Sequence, residues 1–278
     1  MLALLIAAVI GLASYGYGRA ILSRLGTMPS GHLERSVLAI LMGAGILTFV
    51  VLGIGLLGGL SQSVALIVVA LGLLLAAYLV RGARAGGIAA SLKKTLDGFR
   101  RNDWLVWSCW LFLLLSVALN LLAALAPISG TDALAYHLAI PKLWVEEERI
   151  RYVPGIYYST AAFGLEMLFT LAMLLGSPIA AQVLHFGFGI LATIVVYILG
   201  ARAFSARAGM LAATLFYAIT DVSVQSSIAL VDLGAAAYLL AALLAALRWR
   251  EQGGRWIIVA ALLAGFHAGT KMPNLVAA

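Results

Sequence analysis

Charge is scarce in this sequence. Only 10% of its 278 residues are Asp, Glu, Lys or Arg, against about 25% in a soluble domain. Apolar residues make up 64% and the mean hydropathy is +1.07, which excludes a cytosolic enzyme, a disordered regulator and a disulfide scaffold. The lone cysteine, Cys109, can form no internal disulfide. Met1 to Gly11 contains no Lys or Arg, so it lacks the basic n-region of a signal peptide and is expected to remain as a first span. No two histidines have zinc-like local spacing, and His-rich or Cys-rich clusters are missing. Carboxylate-bound Mg²⁺ or Mn²⁺ stays compatible with the acids. The net charge of +7 would suggest nucleic acid in a soluble protein, but here the cations fall in loops between apolar runs and act first on topology.

Those runs have the length that about 30 Å of hydrocarbon demands of a helix. They predict an all-α, polytopic bundle with eight spans, near 1–18, 36–58, 62–80, 104–126, 179–200, 208–220, 232–247 and 256–270. A ninth apolar stretch, 159–175, is ambiguous. If it does not cross, all of the 18 Lys and Arg residues except Lys142, Arg149, Arg151 and Lys271 fall on the cytoplasmic side, as the positive-inside rule requires. If it crosses, Arg202, Arg207, Arg248, Arg250 and Arg255 move outside. The first topology is preferred, with 159–175 lying along the outer interface or re-entering. Glu166 in its middle agrees, because an ionisable group at the bilayer centre costs at least about 2.5–3.5 kcal/mol. The chain stops inside apolar sequence at Asn274 to Ala278, which suggests the N-terminal part of a longer protein.

With this topology Asp132, Glu146, Glu147, Glu148, Glu166, Asp221 and Asp232 lie outside, out of 11 acids. Acids contribute little to orientation, so their gathering needs another cause. The outer loop from Pro127 to Tyr158 ends the preceding span with Pro127 and Gly130. Thr131 or Asp132 can cap a new helix carrying Leu134, Leu138, Lys142 and Val145 at helical spacing. Tyr136 follows Asp132 by one turn on the same face, with His137 beside it. The plainer reading makes Asp132 a cap on an interfacial helix whose Tyr, His and Trp are belt anchors. Asp232, at the outer start of a later span, has the same ambiguity between cap and function. Two carboxylates over one outer cavity can serve as base and orienting group, or as metal ligands. His137 faces that site and is suited to sugar hydroxyls or phosphate. His185 and His267 lie within apolar helices, where a hydrogen-bonded packing role is the commoner one.

Taken in order, three stretches resemble the GT-C glycosyltransferases that use lipid-linked sugars, grouped as glycosyltransferase family 39. That family includes protein O-mannosyltransferases and the bacterial transferases that add aminoarabinose to lipid A. Thr131-Asp132-Ala133-Leu134-Ala135-Tyr136-His137 looks like its first outer loop, Val231-Asp232-Leu233 like its second acidic site, and Leu263 to Lys271 like the small-residue helix ending in Thr-Lys. Many relatives have Asp-Glu where this chain has Asp132-Ala133. The resemblance covers about 104–278, a GT-C-like catalytic module, and leaves 1–103 as additional N-terminal helices with a basic cytoplasmic loop.

The resemblance implies an inverting glycosyltransferase of a bacterial inner (plasma) membrane with its site on the outer, periplasmic face. The donor is a polyprenyl-phosphate-linked sugar and the acceptor a lipid, glycan or protein, among membrane lipids and without nucleic acid or a required cofactor. Asp132 becomes the base for the acceptor hydroxyl, and Asp232 positions the acceptor or orients a neighbour. Tyr136 and His137 contact substrate. Phosphate binding falls to Lys271 first, and then to Lys142, Arg149 and Arg151, the remaining outer cations. Two other classes stay open: a transporter or flippase, which should show paired broken helices or acids near the bilayer centre, and a noncatalytic assembly subunit, which would account for the Gly-rich spans.

Overall fold

A computed structural model describes residues 1–81 and 103–271. The expected cations Arg84, Lys93, Lys94, Arg100 and Arg101, and the apolar terminus from residue 274, lie outside the described residues. Within them the chain is all-α, with eleven α-helices. These are α1 (Leu2–Leu25), α2 (His32–Leu56), α3 (Gln62–Val80), α4 (Trp104–Ala124), α5 (Ala139–Glu146), α6 (Glu166–Leu174), α7 (Ile179–Ala203), α8 (Ala206–Ala218), α9 (Thr220–Gln225), α10 (Asp232–Gln252) and α11 (Trp256–Ala268).

Six of them, α1 to α4, α7 and α10, are long and apolar enough to cross a membrane. Their starts follow local chemistry: the Ser61 side chain accepts from Val64 N–H at 3.3 Å and the Asp103 side chain from Val106 N–H at 3.3 Å. Two of the eight expected spans are shorter than anticipated. Segments 208–220 and 256–270 form helices of 13 residues, about 20 Å at 1.5 Å per residue. In the first, the chain leaves helical geometry at Ile219 before α9 begins.

The expected continuous helix after Asp132 is also broken. Residues Ala133–His137 form a π-turn, and α5 starts only at Ala139. Pro141 explains the break, because it has no N–H to return to the His137 carbonyl and is tolerated only in the first turn of a helix.

Segment 159–175 holds no helix long enough to span. Its only α-helix, α6, has nine residues, about 13 Å of rise. It is not a surface helix either: among its residues only Met173 is outside the buried class, and it packs on α2, α5 and α7. A segment this apolar gains more from protein on all sides than from an interface that would wet one face.

The bundle has two chemically distinct ends. At the basic end, Arg248 Nε donates to Glu34 Oε1 at 2.7 Å, Arg202 Nη2 to Glu251 Oε1 at 2.7 Å, and Arg207 Nε lies 3.3 Å from Asp103 Oδ2. At the opposite, acidic end sit Asp132, Glu166, Asp232 and Lys271. Helices α1, α2 and α3 cross closely at glycines. A Cβ on Gly43 would lie 1.7 Å from the Ser14 carbonyl oxygen, and one on Gly16 would lie 2.0 Å from that of Gly72. Such close approach is how helices pack in lipid, where burying apolar surface gives no driving force.

Candidate functional site

Asp132 occupies the position before the π-turn, yet its side chain makes no capping hydrogen bond. It is exposed and accepts instead from the Tyr136 hydroxyl, with Oη 3.2 Å from Oδ2. Burial, and then the Asp132 carboxylate, push the Tyr136 phenol well above its ordinary range, so it stays protonated and remains the donor. The Tyr136 ring stacks on Tyr158 at 4.3 Å between centroids and lies 4.2 Å from His137. These rings fix the loop that presents Asp132.

His137 points inward. Its Nδ1 is 2.7 Å from Glu166 Oε1, and the two side chains are 4% and 2% exposed. Burial raises the Glu166 carboxyl above the usual carboxylate range, while the His137 contact pulls it back. Glu166 Oε2 is buried and has no hydrogen-bond partner among the described residues. This pairing is absent from the sequence reading, which placed Glu166 in an interfacial or re-entrant segment. An acid alone in an apolar stretch was the available signal, since such a group takes a protein partner by default.

Asp232 opens α10 without capping it. Lys271 Nζ donates to its Oδ1 at 2.9 Å. His185 lies behind Asp232 in α7, fully buried. Its Nδ1 donates to the Ile228 carbonyl at 2.7 Å and its Nε2 accepts from Leu233 N–H at 3.2 Å, which clamps both sides of the turn that carries Asp232. His267 Nδ1 meets the Ala235 carbonyl at 2.9 Å. Both histidines are hydrogen-bonded inside the bundle.

Asp132 and Asp232 do not touch. They are linked through the layer between them: Gly130 packs on Ile228, Gly234 on Leu165, and Gly164 N–H donates to the Gly269 carbonyl at 2.9 Å. Glu166 is within electrostatic reach of Lys271, and His185 of both Asp232 and His137.

The other expected phosphate ligands are dispersed. Lys142 Nζ lies 3.8 Å from Glu146 on the exposed face of α5. Arg151 is held by Glu147, whose carboxyl that contact keeps below the usual range, and Arg149 is exposed. Arg151 borders a cavity. That cavity has a volume of about 520 Å³ and is lined by Phe49, Leu52, Trp144, Phe163 and Thr270 among others. It runs between α2, α5 and the end of α11 and reaches Thr270, next in sequence to Lys271, while Asp132, Asp232 and Lys271 do not line it. Trp144 Nε1 donates to the Arg151 carbonyl at 2.8 Å and pins its rim.

The arrangement offers an exposed carboxylate with a phenol donor, a carboxylate carrying an ammonium, and a buried acid–imidazole pair, beside an apolar cavity. Among the described residues no group of three or more His, Cys, Asp or Glu is placed to hold a metal ion. Compared with known protein families, with curated proteins and with solved structures, the chain finds no match. What the fold defines on its own is a helical integral-membrane protein with six candidate spans.

Proposed function

We propose that this protein is an integral-membrane glycosyltransferase that moves a sugar from a polyprenyl-phosphate donor to a hydroxyl on a lipid, glycan or protein at the outer face. The observation that supports the reading is the Asp232–Lys271 ion pair and the Asp132–Tyr136 hydrogen bond at one end of the bundle, with an apolar cavity of about 520 Å³ that none of these four residues lines but that reaches Thr270, next in sequence to Lys271. A donor of this class has both halves to match: an isoprenoid chain for the cavity and a phosphate for the ammonium.

In this reading the acidic end faces outward, and α8 with α9 and α11 complete eight crossings. Asp132, exposed and held by Tyr136, takes the proton of the acceptor hydroxyl as that oxygen attacks the anomeric carbon. The bond from anomeric carbon to phosphate oxygen breaks, and Lys271 neutralises the charge left on polyprenyl phosphate. Attack opposite the leaving phosphate gives inversion. Asp232 holds Lys271 until phosphate arrives and then positions the acceptor. No metal is required, since polyprenyl phosphate is already a competent leaving group.

The test is made on full chain in membrane vesicles supplied with radiolabelled polyprenyl-phosphate sugars. Label should pass to an acceptor with release of polyprenyl phosphate. Retention of all label on the donor, across hexosyl and aminopentosyl donors and with native membrane acceptors present, would refute the assignment. Movement of intact donor across the bilayer without transfer would favour a flippase.

A further inference from the structure

Helix α4 is the least enclosed of the six candidate spans, and it is pinned at both ends. At the basic end Asp103 Oδ2 lies 3.3 Å from Arg207 Nε, and Val106 and Cys109 pack on Met210 of α8. Toward the acidic end Asn120 Nδ2 donates to Tyr217 Oη and to Ser223 Oγ, each at 3.1 Å. Between the pins lies a crevice of about 450 Å³, with Trp110 and Val117 of α4 on one side, Ile190 of α7 and Met210 of α8 on the other, and His32 and Ser36 of α2 at one end. Leu114 of α4 also lines it and is 67% exposed, so the crevice opens toward the membrane. While both pins hold, it cannot close by collapse, and an empty gap would forfeit the dispersion contacts of both walls.

Its dimensions decide what can fill it. Trp110 to Val117 covers about 10 Å of helix, so a volume of about 450 Å³ gives a cross-section of roughly 45 Å² at most. A second helix, about 10–12 Å across, needs roughly 80–110 Å². A hydrocarbon chain needs a fraction of that. The depth agrees: Val117 and Ile190 lie about 20 Å from the basic ends of α4 and α7, whereas His32 and Ser36 open α2 at the basic end itself. The crevice therefore runs from headgroup level into the interior, the reach of a chain in one leaflet, whose share of the hydrocarbon core is about 15 Å.

Polarity points the same way. Trp110 Nε1 is buried without a hydrogen-bond partner among the described residues, a costly state in hydrocarbon. A helix of a second copy brings no free acceptor, because its backbone carbonyls are bonded internally. A glycerolipid brings ester carbonyls, which accept and cannot donate. We propose that the crevice binds one glycerophospholipid of the leaflet at the basic end, with an acyl chain between α4 and α7 and the glycerol-phosphate region at His32 and Ser36. The lipid completes the packing of α4 by filling what the two pins hold open. This site stands apart from the transferase reading.

The experiment is native mass spectrometry of the full chain in detergent, titrated with dioleoyl phosphatidylglycerol. One lipid should stay bound per chain. Val117→Trp, which fills the crevice, should weaken that binding at least about tenfold. Leu115→Trp, at a position of α4 that is 54% exposed and does not line the crevice, should leave it unchanged. Should Val117→Trp not fold, the native chain is placed in bilayers with brominated phosphatidylglycerol. The emission of Trp110, isolated as the difference from Trp110→Phe, should then be quenched along a saturable single-site curve. Absence of a retained lipid, equal binding by the two tryptophan variants, or quenching that rises in proportion to the brominated fraction would each overturn the proposal. So would a dimer of the chain that Val117→Trp dissolves, since a second copy would then occupy the crevice.

Discussion

Lys271→Met separates binding from folding. The ammonium lies 2.9 Å from Asp232 Oδ1, and the two side chains are 42% and 38% exposed. At that exposure, solvent screening limits the pair to about 0.2–1 kcal/mol of stability. Methionine keeps most of the apolar stem, so unfolding in a denaturing-detergent titration should shift by less than about 1 kcal/mol. A charge-assisted hydrogen bond to phosphate is worth about 1.5–3 kcal/mol, which at 1.4 kcal/mol per factor of ten weakens decyl phosphate binding roughly 10- to 100-fold. Asp232→Asn acts in the opposite direction, because it releases Lys271 from a competitor. Phosphate binding should tighten by at most about fivefold, the equivalent of 1 kcal/mol. Calorimetry in nanodiscs reads both variants. Unchanged affinity in Lys271→Met, with the fold intact, would remove Lys271 from the phosphate site.

Three further outcomes follow from the architecture. Single cysteines at Glu147 and Asp221, both exposed, in a background with Cys109 replaced, should react with an impermeant reagent from the outer side while one at Gln252 should not; outer labelling at Gln252 would reverse the assigned ends. Gly43→Leu should sharply reduce folded yield in detergent, since a Cβ would sit 1.7 Å from the Ser14 carbonyl oxygen and two helix backbones would have to part; normal yield would show that α1 and α2 do not cross there. Arg248→Met should destabilise by about 3–5 kcal/mol, because it strips the hydrogen-bonded partner from Glu34, whose side chain is 9% exposed; a loss below about 1 kcal/mol would mean that Arg202, 3.7 Å away, replaces it.

Period and length made the long helices legible, since an apolar run near 20 residues has few other fates. The caps at Ser61 and Asp103 were not read from the sequence and emerge only from the structure. The grouping of basic residues at one end and of Asp132, Asp232 and Lys271 at the other followed from counting charges in loops. The course of 159–175 was harder, because periodicity cannot distinguish a buried short helix from an interfacial one when nearly every residue is apolar. The site was half legible. Asp132 with Tyr136 is a spacing of one helical turn, readable along the chain. His137 with Glu166, Glu34 with Arg248, and Asn120 with Tyr217 and Ser223 join residues far apart in sequence, and only packing brings them together. The cap readings of Asp132 and Asp232 were reasonable from helix statistics. Tyr136, one turn along the chain, and Lys271, a tertiary partner, claim those carboxylates instead.

Asp132→Asn tests the central claim most directly. It preserves shape and the ability to accept a hydrogen bond from Tyr136, and removes the charge and the proton acceptor. Transfer from a polyprenyl-phosphate sugar should fall roughly 10²-fold or more, in the range for general base catalysis, with the variant present in the membrane at normal abundance and decyl phosphate binding unchanged. Near-normal transfer by the Asn variant would contradict the account and return Asp132 to a structural role.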